Sequence, residues 1–119
     1  MITIYHNPRC SKSRGALDLV ETVYRSKDEP IQIVEYLKQP LSVGQLSELH
    51  RMLGCPAREM VRANEKEYED LGLDRADISD RELFDAITKH PILLQRPIAV
   101  RDGRAVIGRP PENVGTLFE

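Results

Sequence analysis

The sequence predicts an α/β fold on a mixed sheet, and three observations carry that reading. First, the apolar run Ile2-Thr3-Ile4-Tyr5 is followed by Leu17, Val20 and Tyr24 at helical spacing. A second apolar run then holds Ile31, Ile33 and Val34, so the chain opens strand–helix–strand. Second, Asp102-Gly103 stands between Ile98–Val100 and Ala105–Ile107, the short-range signature of a β-hairpin. Third, the stretch from about 42 to 90 has helical spacing and two capping boxes, which reads as a helical insertion. At 119 residues the chain is expected to be a single domain with a proper core.

Taken in order, Ile2 to Tyr5 is a buried strand and Ser11 to about Arg25 a helix, with Ala16, Leu17, Val20, Val23 and Tyr24 inward. Ser26-Lys27-Asp28-Glu29-Pro30 is a loop. The strand at Ile31 to Val34 is expected parallel to the first, because a helix lies between them. Ser42-Val43-Gly44-Gln45 caps a helix carrying Leu46, Leu49 and Leu53 on one face, broken by Gly54-Cys55-Pro56. Arg58 to Asn64 is expected as a short helix and Glu65 to Leu71 as another, ended by Gly72. Ser79-Asp80-Arg81-Glu82 opens a further helix whose apolar face is Leu83, Phe84 and Ile87, ended at His90-Pro91. The hairpin follows, then Gly108-Arg109-Pro110-Pro111 and a short C-terminal helix with Val114, Leu117 and Phe118. With a cysteine after the first strand and a proline before the hairpin, this order fits a thioredoxin-like layout.

That cysteine, Cys10, sits where the first strand gives way to a helix. Unpaired N–H groups and the helix dipole at such a place favour an anion. Arg9, Lys12 and Arg14 add three cations within a few residues. Thiolate is thereby favoured over thiol, and the thiolate is the nucleophile. An inert buried cysteine is the bland alternative. Against it, Pro8 is the sole apolar residue between Asn7 and Gly15. Cys55 lacks a comparable cationic cluster and reads as structural.

Charge is unevenly spread over a chain of net charge −2. Residues 1–17 hold Arg9, Lys12 and Arg14 and no acid, whereas residues 18–85 hold 9 bases and 16 acids. From Ala86 to Pro111 Asp102 is the one carboxylate. If the two ends of the chain meet, they make a positive site on an acidic body, suited to a small anion. The acidic remainder argues against nucleic acid as a partner. No apolar run approaches the ~20 residues of a membrane span, and no secretory signal pattern opens the chain. A cytoplasmic location is the expectation, with both cysteines reduced. His6 and Cys10 have no second Cys/His pair at ligand spacing, so no metal site is expected. His50 and His90 look incidental.

His6-Asn7-Pro8-x-Cys10-x-x-Ser13-Arg14 resembles the N-terminal motif of the glutaredoxin-dependent arsenate reductases. Met60-Val61-Arg62-x-Asn64, His90-Pro91-Ile92-Leu93-Leu94-x-Arg96-Pro97-Ile98 and Gly108-Arg109-Pro110 match the same family in order. The resemblance is nearest to its short, YfgD-like branch. It implies that Cys10 is the nucleophile, that Arg62, Arg96 and Arg109 bind the oxyanion, and that Pro97 is a cis-proline. His6 then lies near the catalytic cysteine and Ser13 lowers its pKa. From the residues alone, His6 either tunes Cys10 or hydrogen-bonds the loop, and each arginine also admits a structural role: Arg62 solvated on a helix, Arg96 tying down its loop, Arg109 paired with Glu112.

The implied reaction is attack of the Cys10 thiolate on arsenate, giving a thiol–arsenate adduct that is reduced to arsenite. Guanidinium forks suit the tetrahedral oxygens better than point-like ammonium groups. Ser13, three residues along the helix start, is expected to donate its hydroxyl to the sulfur. Ser13 also stands where a second cysteine of a Cys-x-x-Cys pair would be, so the resemblance implies glutathione and glutaredoxin as reductants and no tightly bound cofactor. Two alternatives share these residues or this fold. One is a related thiol oxidoreductase acting on another oxyanion or a mixed disulfide. The other is a regulator like the Spx proteins, which bind RNA polymerase and use the Cys-x-x-Cys switch that this chain lacks. The phosphatase-like arsenate reductases are excluded by Ala16, which stands where their loop needs arginine.

Overall fold

The computed structural model describes residues 1–119 and divides into two compact units, Met1–Gln39 with Arg96–Glu119, and Pro40–Gln95. The first unit holds a four-stranded mixed sheet of order β2-β1-β3-β4, from β1 (Ile2–His6), β2 (Ile31–Glu35), β3 (Ile98–Arg101) and β4 (Arg104–Ile107). β1 runs parallel to β2, with Ile4 opposite Ile33 and His6 opposite Glu35, and antiparallel to β3, with Ile4 opposite Ala99. The connection from β1 to β2 is α1 (Ser11–Leu19), the crossover that a parallel pair needs. In the hairpin turn Asp102 and Gly103 have φ of 51° and 76°, and a type I′ turn demands positive φ at both central residues. The two ends of the chain therefore meet in this unit, the condition that the charge pattern left open. Its core is Ile2, Ile4, Ala16, Val20, Ala99, Val114 and Leu117.

One expectation fails in this unit. The first helix does not run regularly to Arg25 but widens into a π turn at Val20–Tyr24, with Arg25 N–H bonded to the Val20 carbonyl. The extra residue in that turn swings Val23 outward, 62% exposed, while Val20 stays buried. The expected C-terminal helix is present, as a 3-10 helix over Pro111–Phe118. Val114 and Leu117, spaced three apart, face inward, as a three-residue turn allows.

The second unit is helical: α2 (Val43–Leu53), α3 (Lys66–Asp70) and α4 (Asp80–Lys89). Both capping boxes form, Ser42 with Gln45 and Ser79 with Glu82, so each helix starts where its orphan N–H groups are satisfied. Gly54 ends α2 at φ 65°. α2 packs on α4, with Leu46, Leu49, Leu83, Phe84 and Ile87 buried. The expected helix from Arg58 to Asn64 is not there. Only Ala57–Met60 is helical, as a 3-10 turn, and Val61 is extended and bridges Leu94. Backbone bonds from Arg62 N–H to the Leu93 carbonyl (2.7 Å) and from Gln95 N–H to the Met60 carbonyl (2.8 Å) satisfy groups a helix would have paired internally. No helix is long and apolar enough to cross a membrane.

Candidate active site

The Cys10 loop is built on Asn7, which is buried and bonds three ways. Its carbonyl accepts from Cys10 N–H (3.0 Å), its Oδ1 accepts from Arg9 N–H (3.0 Å), and its own N–H donates to Ser13 Oγ (3.0 Å). This closes a tight turn directly after β1 and delivers Cys10 as the N-cap of α1, at φ −94° and ψ 122°. Arg14 N–H then bonds the Cys10 carbonyl and begins the helix. Cys10 is a free thiol, partly exposed.

Several influences act on that thiol. Burial is the largest and pushes its pKa up. Against it stand the backbone N–H of Ser13, the Arg96 guanidinium acting as donor and as charge, and the N–H of Lys12, and the net result is a lowered pKa. No conventional capping bond closes on Sγ, but the amide dipoles at the helix head still favour its anion. The charged side chain responsible is Arg96, 86 positions away in sequence, not the neighbouring Arg9, Lys12 and Arg14. Arg14 is turned back, its Nη1 donating to the Pro8 carbonyl (2.8 Å).

Ser13 serves the thiol differently from the sequence expectation. Its hydroxyl is fully buried and lies 2.7 Å from His6 Nδ1, while Asn7 N–H donates to the same oxygen. Its backbone N–H, not its hydroxyl, stabilises the sulfur. Burial lowers the His6 pKa most strongly, Glu35 and Glu21 oppose that, Arg14 adds to it, and the net direction is down. A neutral imidazole fits the hydrogen bonds: Asn7 N–H fills one site on Oγ and leaves the hydroxyl proton for Nδ1. His6 thus holds the loop through Ser13, one of the two roles the residues alone left open. Asn7 is the residue that sequence reasoning passed over. An Asn just after a strand and before a Pro is itself a turn signal, and that signal was available.

Arg96 precedes β3 and joins Pro97 through a cis peptide, as the resemblance implied; Arg109–Pro110 is cis as well. Gly108 explains how these strands reach α1. A Cβ there would lie 2.9 Å from Pro97 Cγ, 3.2 Å from Val114 Cγ1 and 3.4 Å from Ala16 Cβ. Only a bare backbone allows that approach, and Gly108 N–H uses it to bond the Pro97 carbonyl (2.8 Å). Arg109 Nη1 donates to the Arg96 carbonyl (3.4 Å), and Asn113 Nδ2 bonds the Arg109 carbonyl (3.2 Å). Arg96 is thus the side chain that favours the Cys10 anion, and Arg109 bonds the backbone of Arg96.

Arg62 belongs to the second unit, directly after the Val61–Leu94 bridge rather than on a helix. Its side chain is 11% exposed and its Nε donates to Glu65 Oε1 (3.1 Å). In the same unit Cys55 is also a free thiol, but burial, then the Glu59 charge and a hydrogen bond to Glu59, push its pKa up.

A free cysteine of lowered pKa at a helix head, with a cis-proline ahead of the hairpin, defines a thioredoxin-like thiol protein. The ArsC family model matches residues 5–117, and the chain belongs to the ArsC family. Arsenate reductase of Neisseria meningitidis serogroup A is 42% identical over 118 residues, which is 98% of this chain and 97% of that protein. YfgD of Escherichia coli is 43% identical over 95% of this chain and 92% of its own length. The solved structure of arsenate reductase from Vibrio cholerae superposes with a TM-score of 0.90 at 42% identity, covering 98% of this chain and 96% of that one.

Proposed function

We propose that the protein is an arsenate reductase that works with glutathione and glutaredoxin. The observation that carries this reading is the lowered pKa of Cys10 at the head of α1, where the Ser13 and Lys12 N–H groups and the Arg96 guanidinium, a group that binds oxyanions, favour the thiolate. The relatives named arsenate reductase, similar over nearly their whole length, support arsenate as the substrate.

In this reaction the Cys10 thiolate attacks arsenic. An S–As bond forms, an As–O bond breaks, and the departing oxygen takes up protons and leaves as water. Arsenic is still pentavalent. A glutathione thiol then attacks Cys10 Sγ, the S–As pair of electrons stays on arsenic, and arsenite leaves, with Cys10 in a mixed disulfide with glutathione. Two sulfurs have each given one electron. Glutaredoxin exchanges that disulfide and restores Cys10. The Ser13 and Lys12 N–H groups and Arg96 favour the thiolate before the attack, and Arg96, Arg109 and Arg62, the arginines the resemblance implies, offset the oxygen charge during it.

The test is arsenate-dependent NADPH oxidation with glutathione, glutaredoxin and glutathione reductase present. Turnover by the parent and none by Cys10→Ser is the expected result. Turnover that survives Cys10→Ser would reject the assignment. Activity with another oxyanion and none with arsenate would move the protein to the related thiol oxidoreductases.

A further inference from the structure

β1 and β2 lie side by side and parallel, with His6 opposite Glu35, so both strands end at the same edge of the sheet. The carboxyl ends of neighbouring parallel strands are where open α/β sheets hold small ligands. Here they carry a cleft of about 340 Å³, within the range of small-molecule sites and lined wholly by residues of the first unit. Residues 6–9 supply one wall, and Glu35, Leu37 and Lys38 the other. Both walls are fixed. His6 and Asn7 are buried, with His6 Nδ1 2.7 Å from Ser13 Oγ and Asn7 Oδ1 accepting from Arg9 N–H (3.0 Å). In the other wall the Glu35 carbonyl accepts from Lys38 N–H (2.9 Å) and Gln39 N–H (3.0 Å), a turn that closes β2.

The position and the charges of this cleft suit a second substrate. Arg9 is followed by Cys10, and consecutive Cα atoms are about 3.8 Å apart, so the first wall ends one residue from the nucleophile. Arg9 and Lys38 against Glu35 make two cations and one carboxylate. Glutathione carries the reverse, two carboxylates and one ammonium. The fork of an arginine receives a carboxylate bidentately. Lys38 Nζ is 3.7 Å from Glu35 Oε1, with the two side chains 78% and 42% exposed, and so exposed a pair is weak enough to open for an incoming carboxylate. Pro8 and Leu37, both exposed, offer apolar surface to the methylene groups of a peptide. A bare oxyanion would use the cations alone and be repelled by Glu35.

We propose that the cleft at the ends of β1 and β2 binds the thiol co-substrate: glutathione, a small acidic thiol peptide, seats its glycine carboxylate on Arg9 and Lys38 and so brings its thiol to Cys10. This assignment rests on the reading above that glutathione resolves the Cys10 adduct. Binding adds no step, because the thiol still attacks Cys10 Sγ and arsenite still leaves. Reach selects the glycine end. Its carboxylate is one residue from the thiol, as the wall is one residue from Cys10, whereas the γ-glutamyl carboxylate stands further off along its side-chain linkage.

The probe is S-methylglutathione, which keeps every charge and cannot react, titrated into the reduced protein and followed by NMR. Saturable amide shifts are expected at residues 6–9 and 35–38. Arg9→Ala combined with Lys38→Ala should raise the Kd roughly tenfold. Esterifying the glycine carboxylate of the probe should weaken binding to the parent by a similar factor, and this arm needs no variant to fold. Absence of saturable binding, shifts confined to other strands, or equal Kd values for ester and free acid each overturn the proposal. An unchanged Kd in the double variant overturns it as well, even if the KM for glutaredoxin rises. Arsenate turnover of the parent with glutathione separates the two levels. Turnover without binding removes the cleft alone. Binding without turnover rejects glutathione-coupled arsenate reduction and retains the cleft as a thiol-peptide site.

Discussion

Cys10 and Cys55 are alike in local sequence context and opposite in chemistry. Each lies within two residues of a proline near the head of a helical turn, each is a free thiol, and each is partly exposed. Burial raises both thiols' pKa values and is the largest influence on each. At Cys10 the Ser13 and Lys12 N–H groups and the Arg96 guanidinium outweigh it; at Cys55 the Glu59 carboxylate reinforces it. The opposite directions follow from the sign of the charge acting on each sulfur and from the amides that bond it, not from the helix start as such.

The strongest way to break the comparison is to remove each sulfur in turn. Cys10→Ser should abolish arsenate turnover, while Cys55→Ser should leave it within about twofold. A large loss in Cys55→Ser would mean that Cys55 resolves the adduct after all. Arg96→Ala comes next. It removes the charge on Cys10, so thiolate absorbance should appear at higher pH, and kcat/KM for arsenate should fall by roughly tenfold to a thousandfold.

Alkylation against pH sharpens the contrast. The reactive form is the anion, so each thiol's rate rises as pH climbs through its own pKa. Cys10 lies below the ordinary thiol value and Cys55 above it, so a pH interval exists in which iodoacetamide labels Cys10 and spares Cys55. Glu59→Gln should bring the Cys55 profile down toward that of an ordinary thiol, and site-resolved mass spectrometry would show it. Gly108→Ala tests the frame that brings Arg96 to Cys10. Its Cβ meets Pro97, and overpacking of this kind costs about 1–3 kcal/mol, visible as a lower denaturation midpoint. The smallest effect is expected from neutralising Arg9, Lys12 and Arg14 together, which should move the Cys10 profile far less than Arg96→Ala does.

Much of this molecule is legible in its local patterns. The two capping boxes, the Asp-Gly hairpin, the parallel pair around a helix and Cys10 as N-cap all follow from short-range rules. What escaped those rules involved competition from distant residues. The stretch after Arg58 has helical composition but is drawn into a bridge with Leu94. Val23 fits the helical spacing until the helix widens beneath it. Ser13 was rightly placed near the sulfur, yet its hydroxyl is taken by His6 and only its amide is left to act.

Read alone, the chain determined that a cysteine would open a helix after the first strand and that its two ends would be basic around an acidic middle. Those are properties of residue order, set by periodicity, capping and local charge. Only the tertiary structure decided which cation reaches the sulfur. A guanidinium 86 positions distant arrives because β3 pairs with β1 and a bare Gly108 lets the strands close on α1, while nearer cations turn elsewhere. Electrostatic influence falls off with distance through space, and separation along the chain does not measure that distance.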